Sequence, residues 1–126
     1  MKTVRHQMVV LTDVSLITCI VQRGMADKVI KAAYRAGAQG ATVSFARGMG
    51  VRERLGVLGV AVNVEKEVIR IVVSSEQVDR VFDAMYLAGQ LDTPGMGIMY
   101  TNRLEKAATY IPPELMQRIE EKNATV

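Results

Sequence analysis

At 126 residues, 49% apolar and 23% charged, the chain suits one domain that buries roughly two thirds of its unfolded surface, and that composition excludes intrinsic disorder. No apolar run approaches the ~20 residues needed to span a bilayer, and Asp13 interrupts the apolar amino-terminal stretch before it reads as a signal peptide, so a cytoplasmic protein is expected. The net charge of +3 is unevenly placed: residues 1–63 carry nine Lys or Arg against three acids, residues 64–126 seven against ten, so the basic excess faces an anionic ligand or acidic partner, while two Phe, four Tyr and no Trp argue against nucleic acid.

In chain order, residues 1–15 read as an extension with strand character, and Leu16–Gln22 as the first core strand, its branched run holding Cys19 as a buried small hydrophobe. After Arg23 and Gly24, the spacing of Val29, Ile30, Ala33 and Tyr34 predicts a helix that Gly37 ends. Ala41–Ala46 alternates as a second strand. Then the character changes: Gly48, Gly50, Gly56 and Gly59 fall within twelve residues that also hold Arg52, Glu53 and Arg54, too much glycine for a regular element and a natural place for function. Val60–Val64 alternates as one arm of a ribbon, and Glu67–Val73, dense in branched residues, follows as the third core strand.

Ser74 and Gln77 have capping-box spacing, and Val78, Val81, Phe82 and Met85 form the buried stripe of a second helix whose Glu76, Asp79, Arg80 and Asp83 stay wet. That helix stops at Gly89. A second glycine-bearing loop with Pro94, Gly95 and Gly97 leads to a fourth strand at Ile98–Thr101, and after Pro112 and Pro113 residues 114–122 read as a short amphipathic helix within a tail, 112–126.

Strand, helix, strand, repeated, is the ferredoxin-like double βαβ arrangement, an α+β fold with an antiparallel sheet covered by helices on one face. Val43, Phe45, Ile69, Ile71 and Val73 are assigned to the other face, which is too apolar for water and predicts an oligomer. No carboxylate pair is set against a nucleophile, so no catalytic residues are expected. The single His6, without a neighbouring Cys or acidic cluster, predicts no metal site.

Three stretches, MADKVIKAAYRAGAQGATV, ARGMGVR after the second strand, and AGQLDTPGMGIMY after the second helix, together resemble the nitrogen regulatory PII proteins over about residues 16–105. PII proteins carry a basic residue, Gly, an aromatic, Gly and Arg at the second of these, and a glycine-bearing phosphate loop at the third. The resemblance implies a single PII-like domain over 1–126 and a homotrimer binding ATP, ADP or a similar effector in clefts between subunits, with a long loop that docks on a membrane transporter or metabolic enzyme. It carries ligand binding to Gly48, Gly50, Arg52, Gly95 and Gly97, and docking to Arg52, Glu53 and Arg54. Glycine there lets backbone N–H groups converge on anionic oxygens, and a guanidinium adds a charge-assisted bond.

The chain also departs from the pattern. No tyrosine lies between Phe45 and Tyr86, so the family's modifiable loop tyrosine is missing, and the docking loop is shorter. Ile98 stands where the family has lysine, and LEKAATYIPP lacks the family's two arginines, leaving Arg103 and Lys106 to answer a triphosphate. Two other readings fit the architecture: a ligand-independent trimeric scaffold like the copper-tolerance proteins, and a small ferredoxin-like enzyme.

Overall fold

The computed structural model describes residues 2–5, 8–48, 64–110 and 114, and these form two compact units, Ser15–Arg103 and a second built from the segments before and after it. In chain order the strands are β1 (Lys2–Arg5), β2 (Met8–Leu11), β3 (Val14–Gln22), β4 (Thr42–Gly48), β5 (Val64–Ser74), β6 (Gly97–Leu104) and β7 (Ala107–Thr109). The helices are α1 (Ala26–Arg35) and α2 (Val78–Ala88). Gly50, Arg52, Glu53, Arg54, His6, strand residues 60–63 and helix residues 115–122 lie outside the described residues.

The larger unit has a four-stranded sheet in the order β4-β5-β3-β6, with α1 linking β3 to β4 and α2 linking β5 to β6. Each helix therefore joins strands that have another strand between them, which is the double βαβ arrangement expected from the sequence. β4 and β5 are antiparallel, in a register running from Thr42 opposite Arg70 to Gly48 opposite Val64.

Alternation along each strand selects the residues that meet the helices. Ile17, Cys19 and Val21 of β3 and Ile69, Ile71 and Val73 of β5 are buried against Val29 and Ala33 of α1 and Val81 and Met85 of α2. This corrects the sequence assignment of Ile69, Ile71 and Val73 to the opposite face. Alternation marks Ile69, Ile71 and Val73 as one apolar face of β5, but it does not say whether the helices or another surface covers that face. The opposite face instead exposes Val72, with Ile98 and Tyr100 of β6, which alternate with the core-packed Met99. Val43 and Phe45 fall on the helix side by their register with Ile69 and Glu67, yet stay exposed because β4 is the sheet's edge.

α1 buries Ala26, Val29 and Ala33, which recur at helical spacing; Tyr34, one residue further round, is exposed rather than part of the stripe. Its carboxy end closes in a Schellman motif. The Gly37 amide donates to the Tyr34 carbonyl and the Ala38 amide to that of Ala33, both at 3.0 Å, with Gly37 at φ +115 and Ala38 buried beneath. Arg80 of α2 donates through Nε to the Ala36 carbonyl at 2.7 Å, so one residue of the helix's polar side fastens the two helices.

The capping box suggested between Ser74 and Gln77 does not form. Burial of Val73 keeps β5 extended through Ser74, whose carbonyl accepts from the Gln77 amide at 3.0 Å in a turn, and α2 starts at Val78 with no side-chain cap.

In the smaller unit, β1-β2-β7 make their own three-stranded sheet, with Val4 opposite Val9 and Val9 opposite Thr109. Residues 1–15 are thus more than a single extra edge strand: they supply a hairpin that takes β7 as its third member. Among the described residues no helix is long and apolar enough to cross a membrane.

Candidate functional site

The carboxy end of β3 organises the site, because β3 lies between β5, which follows the first glycine loop, and β6, which follows the second. Its last residue, Gln22, donates through Nε2 to the Gly95 carbonyl at 2.7 Å. Arg23 donates through Nη1 to Glu65 Oε2 at 2.9 Å. Glu67, two residues along the same face of β5, accepts from the Gly24 amide at 2.6 Å and the Ala26 amide at 3.1 Å.

The last pair solves a problem in α1. Its N-cap residue is Met25, which has no side-chain acceptor, so the first-turn amides need one from elsewhere. Glu67 provides it across the sheet and places a negative charge at the positive end of the helix dipole.

Beside this turn, at the base of the first loop, a shallow cavity of about 520 Å³ is lined by Arg23, Phe45, Ala46, Arg47 and Glu65. Phe45, 74% exposed, offers an open ring, and two guanidiniums stand near it, one of them paired with Glu65. Gly48 ends β4 opposite Val64 and rests against the aliphatic stem of Lys66, where a Cβ would sit at 3.4 Å.

The second loop is held by its own turns, with the Thr93 amide donating to Gln90 at 3.0 Å and the Met96 amide to Thr93 at 3.3 Å. Gly97 is glycine for a reason separate from any ligand. At φ +148 it passes so close to β3 that a Cβ would collide with the Ile20 carbonyl oxygen.

Gly48 and Gly95–Gly97 therefore share one end of the sheet but stand at its two edges, β4 and β6. Three inter-strand steps separate them, roughly 14 Å. Within one subunit Gly48 and Gly95–Gly97 therefore do not meet on a single small anion. Of the other sequence candidates, Gly50, Arg52, Glu53 and Arg54 fall outside the described residues.

Sequence reading missed Gln22, Arg23, Glu65 and Glu67 as site-building residues, since their partners are 41 to 73 positions away. The local signal was the i, i+2 pair of glutamates, which puts two carboxylates on one strand face. Burial holds the Cys19 thiol up at about 11, where it is uncharged at neutral pH and a poor nucleophile. Among the described residues no group of three or more His, Cys, Asp or Glu is placed to hold a metal ion.

Compared with known proteins, residues 14–111 match the model of a family described as Nitrogen regulatory protein P-II. A solved structure of Arabidopsis thaliana PII bound to citrate superposes with a TM-score of 0.61 at 23% identity, covering 75% of this chain and 79% of that one. At that identity the likeness establishes the fold. No curated protein matches the sequence.

Proposed function

Because the chain belongs to the nitrogen regulatory protein P-II family, whose members are signal-transduction regulators rather than enzymes, we propose that it is a trimeric regulator that binds a small anionic effector between subunits. The observation that carries this reading is the position of the two loop bases, on one end of the sheet but at opposite edges. Copies arranged around an axis bring the β4 edge of one against the β6 edge of the next, and the two glycine segments then face each other across a cleft. The exposed Val72, Ile98 and Tyr100 give such copies an apolar surface to bury.

Gly48, Gly50, Arg52, Gly95 and Gly97 are the ligand-binding candidates. The effector class is an adenine nucleotide, ATP or ADP, or a polycarboxylate of the kind held by the Arabidopsis relative. The segment from Gly48 to Gly59, with Arg52, Glu53 and Arg54, is the part that docks on a transporter or metabolic enzyme. The effector acts by making contacts only when that segment is ordered, which shifts its population.

Calorimetric titration with ATP, ADP and citrate, alongside a measurement of molecular mass, tests this reading. A trimer that binds one of the three, with affinity lowered at least fivefold in Arg52→Ala, is the expected result. A monomer that binds none of them refutes it.

A further inference from the structure

We propose that the helix side of β4 is a docking surface for a second protein whose contact segment carries a carboxylate beside a large apolar side chain. This goes beyond the effector site, since it uses neither Gly95–Gly97 nor the residues after Gly48. Alternation puts Val43, Phe45 and Arg47 in one row on that side of β4, across from Ile69, Glu67 and Glu65 of β5. Ile69 is buried beneath the helices, whereas Val43 is 38% exposed and Phe45 74%. β4 is an edge strand, and natural edges are ordinarily blunted by charge or proline. Here the row is apolar at two positions and cationic only at the third, which marks a surface that meets another molecule.

The charges around Phe45 select the partner. Glu65 stands across from Arg47 in the register, yet its Oε2 takes Arg23 at 2.9 Å. Glu67, across from Phe45, is taken up by the Gly24 and Ala26 amides. Both acids beside the row are therefore engaged, and among the described residues Arg47 has no ion-pair partner. A carboxylate brought to that guanidinium makes a charge-assisted bond, and an apolar neighbour then falls on Phe45 one alternation, roughly 7 Å, away. Aromatic rings and arginine are the side chains enriched where proteins meet. A protein suits the place better than a small molecule, because the cavity lined by Arg23, Phe45, Arg47 and Glu65 is shallow and a small-molecule site buries most of its ligand. Nucleic acid suits it less, since a single ring flanked by two carboxylates makes neither a stacking platform nor a phosphate track.

The test is selection of a random-peptide phage library on the full chain, followed by titration of the enriched peptides. The expected peptides carry Asp or Glu close to Phe, Leu, Ile or Trp, and Phe45→Ser or Arg47→Ala weakens them roughly tenfold, as loss of an aromatic or arginine anchor does. Arg47→Glu is expected to select Lys or Arg in place of the acid, an exchange that a merely destabilised chain does not produce. That variant, at an exposed position, keeps the test open if Phe45→Ser folds poorly. Selection without an acidic preference, peptides that bind Phe45→Ser as tightly as the unsubstituted chain, or no enrichment at all overturns the surface. A change of molecular mass in Phe45→Ser also overturns it, because another copy of the chain then covers the ring. Single-stranded RNA held by the chain and lost in Phe45→Ser gives the row to nucleic acid and overturns it too.

Discussion

At the residue scale the most constrained positions are set by contact rather than by chemistry. Gly97 lies against the Ile20 carbonyl at φ +148, so Gly97→Ala must push β6 away from β3, and a loss of about 2 kcal/mol or more in denaturant unfolding is expected. Ile69 is fully buried beneath both helices, and Ile69→Ala should cost about 2–5 kcal/mol by the same measurement. Cys19 gives a pH signature. Its folded pKa lies near 11, above the usual 9.0 of a free thiol, so the folded state holds its proton more tightly than the unfolded chain. The stability it contributes is complete below about pH 9 and is lost as pH rises towards about 11, a slope that Cys19→Ala should remove. At pH 8 the native thiol should resist iodoacetamide and react once the chain is unfolded in guanidinium.

At the scale of elements, α1 depends on a strand for its amino-terminal cap and on a helix for part of its carboxy-terminal one. Glu67 accepts two amides at one end, and Arg80 reaches the Ala36 carbonyl at the other. Glu67→Ala should therefore destabilise the fold by about 1–2 kcal/mol. Glu65→Ala, which removes an ion pair whose side chains are 72% and 56% exposed, should stay within about 1 kcal/mol, and thermal unfolding of the two variants side by side checks the contrast. Charge alone does not rank these glutamates; what ranks them is that one ends on helix amides and the other on a solvated guanidinium.

At the scale of the whole molecule, the proposed assembly is tested at the sheet face away from the helices. Val72, Ile98 and Tyr100 are 43%, 60% and 45% exposed there, and on the proposed trimeric arrangement Ile98→Glu is expected to give a folded monomer by light scattering, against a trimeric mass for the unsubstituted chain. In the larger unit the order of strands and helices, the second glycine loop and the family were legible in the sequence, because periodicity and turn residues are local properties and the family's stretches keep their order and spacing. Three things were not. The side of β5 that the helices cover depends on how the sheet is wound, because alternation groups Ile69, Ile71 and Val73 on one face without recording what packs on it. The start of α2 moved to Val78 because burial of Val73 overrode a local capping signal at Ser74. The meeting of Gln22 with Gly95, and of Arg23 with Glu65, joins residues 73 and 42 apart, and no pattern along a chain records a hydrogen bond that only the closing of the sheet creates.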